Sequence, residues 1–271
     1  MKKLVYLFLG LITSINIYSQ DSIVNYLDQN FKITEVKNDT HYLKITVKRD
    51  SVWENRIYHR DGKILFKNYS YKPYKNSYVG KFLRFHRNKN ISKRVFFNKK
   101  SNEEGKIITW FDNRKRNYTG SYKDGIPKGI WKYYHYNGKL ASKFYYNTNG
   151  DIDKYILYDT NGLETNEKDY IKFLKPKFKG GIDKFNSKLN YLIDNLSYGI
   201  NTKLYINFTI DVDGNIKDVI VVNNIPKKLK KEISDFFESI KGWESAIEMN
   251  RKIPYKYRFS ISFKTRIIDT D

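Results

Sequence analysis

Five segments of this chain align with one another, their columns falling about 24 to 27 residues apart. They are VWENRIYHRDGKI from Val52, GKFLRFHRNKNI from Gly80, GKIITWFDNRKR from Gly105, GIWKYYHYNGKL from Gly129 and DKYILYDTNGLE from Asp153. A repeat of this length constrains the fold strongly, because one unit cannot bury its apolar face and must stack on its neighbours. One column reads Tyr58, Phe85, Trp110, Tyr134, Tyr158. Three positions on comes Asp61, Asn88, Asn113, Asn137, Asn161, followed by Gly62, Lys89, Arg114, Gly138, Gly162. Each unit reads as a strand, a tight turn and a returning strand such as KILFKNYSY or KLASKFYYN. Asn-Gly and Asp-Gly at the turn predict type I′ hairpins, in which both central residues have positive φ.

His59, His86 and His135 share one column, where the other units carry Phe111 and Asp159. The repeat places these histidines a whole unit apart and Phe111 interrupts them, so His135 reads as a spacer and not as a metal ligand. The segments GKIITWFDN, GIWKYYHYNGKL and YILYDTNGLE resemble MORN-type repeats, over residues 52 to 165 and most clearly at Gly129 to Leu140. That resemblance implies a β-hairpin array serving as a scaffold or a binding surface for lipids or partner proteins. It implies no catalysis.

The chain opens MKKLVYLFLGLITSINIYSQ. Two lysines, a mostly apolar run from Leu4 to Ile17 and a small residue at Ser19 predict a secretory signal peptide over residues 1–19. The apolar run is shorter than the roughly 20 residues of a spanning helix. With no cysteine, the chain has no disulfide, thiol catalysis or lipoprotein acyl site. The expected setting is the periplasm or cell envelope, with a cap segment at 20–51 before the repeats at 52–165.

Positive charge is uneven. Residues 62–102 hold 12 Lys+Arg and no Asp or Glu, within a formal net charge of +22 for the chain. The alternation around Lys81, Arg84 and Arg87, with Lys93 and Arg94 beyond, predicts a strand face of basic side chains backed by aromatics. Nucleic acid would fit such a surface, but the export signal argues against it. The expected counterparts are a protein or an anionic envelope surface.

After Pro176 the pattern changes. IDKFNSKLNYLIDNL has apolar residues at helical spacing, LYINFTIDVDGNIKDVIVVNN is a strand–turn–strand, KKLKKEISDFFESIKGW is an amphipathic helix, and YKYRFSISF alternates. The predicted fold is mainly β with α+β: an antiparallel β-hairpin repeat array, then a small two-helix, three-strand α+β domain at 172–271 with the helices on one sheet face. Pro176 with Gly180-Gly181, the strand–Asp-Gly–strand from Phe208 to Val222, Trp243, Asn250-Arg251-Lys252 and Phe263 resemble the TonB C-terminal domain. That resemblance implies a sheet edge that accepts an extended segment of an outer-membrane partner by strand addition. It points to Tyr255, Tyr257, Phe259, Ile261 and Phe263 on the final strand. An added strand from Asn166 to Phe173 would cover that edge.

Asp211, Asp213 and Asp218 surround a turn, but Val222 stands where a calcium loop needs its closing Glu, so a plain turn is expected. Glu103-Glu104 begins a strand, and His41 is isolated. Nucleophile elbow, P-loop and dinucleotide signatures are absent. The sequence therefore predicts no enzyme, no cofactor and no metal. It predicts an exported adaptor that acts by binding. Two alternatives stand beside it: a membrane-anchored energy transducer of the TonB type, which requires Leu4 to Ile17 to stay in the membrane, and a repeat scaffold that binds lipid or polymer.

Overall fold

The computed structural model describes residues 22–35, 40–73, 77–165, 170–196, 203–223 and 225–262. The predicted leader at 1–19, parts of the 20–51 segment, residues 166–169 and Phe263 lie outside them. Eleven antiparallel strands pair in chain order. They are β1 (Ser22–Leu27), β2 (Tyr42–Arg49), β3 (Val52–His59), β4 (Ile64–Ser70), β5 (Gly80–Phe85), β6 (Ile91–Phe97), β7 (Glu103–Trp110), β8 (Arg116–Lys123), β9 (Ile126–Tyr134), β10 (Leu140–Tyr146) and β11 (Ile152–Leu157). The chain is mainly β and its repeats form hairpins. Two compact units result, residues 1–105 and 106–271.

The turns differ from expectation. At His135 the backbone amide donates to the Lys139 carbonyl (2.9 Å), the Gly138 amide donates to the His135 carbonyl (2.8 Å), and Asn137 Oδ1 accepts from the Lys139 amide. Positive φ belongs to Gly138 alone, at 88°, and not to Asn137. The turns at Gly62, Lys89, Arg114 and Gly162 repeat this form. Each is a three-residue loop closed by one left-handed residue, a type I turn with a bulge, and not type I′. The Asp or Asn side chain caps the loop amides from a right-handed backbone, which removes any need for a second left-handed residue. Both signs of a type I′ turn appear instead at Asp124–Gly125 (φ 52° and 83°), which joins β8 to β9.

The same side chains tie one turn to the next. Asn113 Nδ2 donates to the Tyr136 carbonyl (2.9 Å) and Asn137 Nδ2 to the Thr160 carbonyl (2.8 Å). His135 is buried, and its Nε2 stands 3.1 Å from the Tyr158 carbonyl, a contact that needs a proton on Nε2. His135 is thus more than a spacer: it links its unit to the following one.

In the first unit the core is Leu27, Ile57 and Leu65, with Tyr42 and Phe66 against them. An aromatic row runs along the same side, Phe31 with Phe66, Phe66 with Phe82 and Phe82 with Phe97, at centroid distances of 5.6 to 5.9 Å. Beside it lies a buried polar cluster. Thr46 Oγ1 donates to Asn55 Oδ1 (3.0 Å), and Asn55 Nδ2 donates to Asn68 Oδ1 (3.1 Å) and Ser70 Oγ (3.0 Å). Satisfied in this way, the cluster avoids the desolvation penalty of unpaired buried groups.

The second unit joins the last hairpins to the C-terminal elements. These are β12 (Phe173–Leu174), β13 (Lys177–Phe178), α1 (Gly181–Asn195), β14 (Lys203–Ile210), β15 (Ile216–Val221), α2 (Lys227–Ser239), β16 (Trp243–Glu244), β17 (Ala246–Glu248), β18 (Arg251–Ile253) and β19 (Tyr255–Ser262). Helix α1 buries Phe185, Leu189 and Leu192, and α2 buries Leu229, Ile233 and Phe237, each set three or four residues apart. They share one core with Leu204, Ile206, Phe208 and Ile210 of β14. Each fully buried side chain of this kind contributes about 1.5 to 3 kcal/mol. The sheet order is β15-β14-β19, while β13 pairs with β16, and β12, β17 and β18 form a small separate sheet.

Candidate functional site

Strand β19 pairs with β14 over eight residues, from Tyr255↔Ile210 to Ser262↔Lys203. Among the described residues no strand pairs with its other side. Phe173, the end of the segment that would cover this edge if it added there, pairs through β12 with Glu248 of β17 instead. Of the side chains named from sequence on this strand, Tyr257, Phe259 and Ile261 point inward. Tyr257 stacks on Phe208 (5.5 Å, 10° between planes), Phe259 meets Phe185 edge-on (5.7 Å), and Ile261 is buried. Lys256, Arg258 and Ser260 face out. The edge thus offers main chain to a partner, with a basic outer face.

The five basic residues named from sequence do not share a face. Lys81 pairs with Phe96 and Leu83 with Arg94, while Arg84 pairs with Lys93. Lys81 and Arg84 are an odd number of residues apart, so period-two alternation sends them to opposite sides. Two are already neutralised: Arg87 pairs with Asp61 and Lys93 with Glu103 (2.7 Å). Both acids flank the acid-free stretch, and hairpin pairing folds them back over it. Arg84 lies over the Phe66 ring at 5.9 Å.

Sequence reasoning missed the hairpin between β17 and β18. Its two turn residues, Met249 (φ 49°) and Asn250 (φ 63°), are both left-handed without a glycine. Such strain persists only where surrounding contacts hold it. Here the Met249 amide donates to the Lys172 carbonyl and the Asn250 amide to the Ile171 carbonyl, both at 3.0 Å. Ser142 Oγ of β10 donates to the Met249 carbonyl. The next residue, Arg251, is 1% exposed. Its guanidinium sits 5.7 Å from the Phe111 ring and 5.3 Å from the Tyr133 ring. It donates to the Tyr134 carbonyl (3.2 Å) and pairs with Glu248 (2.9 Å). Burial pushes its pKa down to about 10, with Glu248 acting in the opposite sense. Arg251 thus pins the C-terminal hairpin to the repeats of its own unit.

Beside this contact an open cleft of about 540 Å³ is lined by Tyr118, Tyr122, Trp131 and Tyr146, together with Lys172 and Glu248. Burial, with Tyr146 beside it, pushes the Tyr133 hydroxyl far above the ordinary phenol range.

Asp211 makes a turn, as expected. Its Oδ1 accepts from the amides of Asp213 (2.9 Å) and Asn215 (2.8 Å), and its Oδ2 pairs with Lys217 (2.6 Å). Among the described residues no group of three or more His, Asp or Glu is placed to hold a metal ion. Nor, among them, is any helix long and apolar enough to cross a membrane. Compared with known proteins, the chain matches no family model and no curated sequence.

Proposed function

We propose that this chain is an exported, non-catalytic adaptor of the cell envelope. In this reading β19 captures an extended segment of an outer-membrane partner while the repeat array docks to a protein or an anionic surface. The observation that carries it is the eight-residue pairing of β19 with β14, with no strand on its other side among the described residues. An edge of that kind presents a row of backbone donors and acceptors, which natural sheets protect unless they use it. The inward commitment of Tyr257, Phe259 and Ile261 fits main-chain recognition, in which few partner side chains are read. The resemblance to the TonB C-terminal domain supports the same edge.

The test is a photo-crosslinking amino acid placed at Ser260, with Glu232 on α2 as the control site, in cells with an intact envelope. The reading expects an adduct with an outer-membrane protein from Ser260 and none from Glu232. The crosslinked partner segment, made as a peptide, is expected to protect β19 amides from hydrogen exchange. Equal adducts from both sites, or a peptide that leaves β19 exchange unchanged, would end the strand-addition reading.

A further inference from the structure

The repeats of the second unit carry a second basic face, which the sequence reading passed over. Lys132 of β9 and Lys143 of β10 are directly opposed, in a row that runs Thr119, Lys132, Lys143, Ile156 across four strands. The same register puts Lys128 opposite Ser121 on this face, and Lys154 opposite Tyr145. Directly opposed side chains stand about 5 Å apart at Cβ, and like charges there destabilise the pair. The only acid in β8 to β11 is Asp153, at the register irregularity of β11. Among the described residues Lys128, Lys132, Lys143 and Lys154 form no ion pair with Asp or Glu; Lys143 is held first by the Tyr158 hydroxyl, with Glu164 acting on it through space. Two opposed lysines with one distant carboxylate leave a net positive charge on this face, which an anionic ligand would balance.

We infer that this face binds an acidic polysaccharide, whose carboxylates supply the counter-charge. Three observations select that class. The lysines are fixed on a sheet ladder at regular spacing, which matches charge repeating along a polymer. Ile126 and Ile130, 41% and 51% exposed, lie on the same face as the lysines; sugar rings bring apolar C–H faces beside their carboxylates, and polyphosphate does not. The rings here are capped by the chain's own cations, Lys154 over Tyr145 (4.5 Å) and Lys143 over Tyr158 (5.3 Å). Rings engaged in this way offer one face fewer for stacking nucleic-acid bases or for insertion into lipid. The inference rests on the reading of the array as a docking surface, and is independent of strand addition at β19.

The test titrates the full chain with polygalacturonate, with anionic phospholipid vesicles and with a single-stranded oligonucleotide, at low and high salt. Wild type is expected to bind polygalacturonate in preference to the other two, and to release it at high salt. Lys132→Gln with Lys143→Gln should weaken that binding by about tenfold while raising or leaving unchanged the melting temperature, since a like-charge pair is relieved. Lys256→Gln with Arg258→Gln, on β19, should leave it unchanged. Preference for vesicles or oligonucleotide, or full affinity in the Lys132/Lys143 variant, would overturn the inference. So would a lower melting temperature in that variant, which would make the pair structural.

Discussion

A Cβ built on Gly214 would stand 2.0 Å from the carbonyl oxygen of Trp243. Gly214 is also left-handed, at φ 83°, in the turn that Asp211 caps. Two demands therefore fall on one residue: a left-handed backbone that disfavours a side chain, and an approach that leaves no room for one. Gly214→Ala must move the backbone at Trp243, whose ring packs on Phe178 and Phe185. The expected loss is about 3 kcal/mol or more, read as a lower urea midpoint with unchanged slope.

At Arg251 two substitutions separate charge from volume. Arg251→Ala leaves a void between Phe111 and Tyr133 and should cost about 3 to 5 kcal/mol. Arg251→Met fills most of that space without a charge to desolvate, and should cost clearly less, since buried ion pairs often break even against apolar replacements. Thermal melts of both variants check the order. Equal losses would mean that the charge itself, through Glu248 and the Tyr134 carbonyl, carries the contact.

Lys89 and Arg114 occupy the turn position that Gly62, Gly138 and Gly162 hold in the other units, each with φ 69°. A side chain in that conformation costs about 1 to 2 kcal/mol, partly offset by the greater freedom glycine has when unfolded. Lys89→Gly and Arg114→Gly should therefore each stabilise the chain, by about 0.5 to 1 kcal/mol in denaturant melts.

Glu54 supplies a pH dependence. Burial alone raises its carboxyl, but Lys67 (3.0 Å) and Arg56 (2.7 Å) outweigh burial and hold its pKa below the ordinary value. A folded pKa below the unfolded one gives stability that is present above the unfolded value, about 4.3, and is lost as pH falls through the folded one. Glu54→Gln should cost about 1 to 2 kcal/mol at pH 7. That difference should shrink as pH falls from the unfolded value through the folded one and vanish below it, as acid titrations of both proteins would register.

The repeat was legible because period and turn chemistry are local. Aromatic and Asp/Asn columns mark strand ends, and alternation marks strands such as β14 and β19. Turn type was not legible from Asn-Gly alone, because the side-chain cap at Asn137 decides which residue turns left-handed. The face assignment of Lys81 and Arg84 was open to simple counting along the strand. The neutralising roles of Asp61 and Glu103 were not, since they depend on which strand each hairpin returns beside. The Met249–Asn250 turn carries almost no local signal: it is strained, and contacts with Lys172, Ile171 and Ser142, distant in sequence, hold it. Lys132 and Lys143 are eleven residues apart in the chain, and only the register of β9 against β10 makes them neighbours.

The turn-to-turn bonds of Asn113, His135 and Asn137 all run one way, from the side chain of one unit to the backbone of the unit after it. The linkage is therefore polar, like shingles laid from one end. For these three bonds, losing the following unit strands a side-chain donor, while losing the preceding one leaves only a carbonyl free to take water. The Tyr136 hydroxyl, which donates back to Asp112, and Arg87, which pairs back to Asp61, run the other way. Under mechanical load the two ends of such an array would yield differently, and the end held by Arg251 is the one whose loss would leave donors exposed.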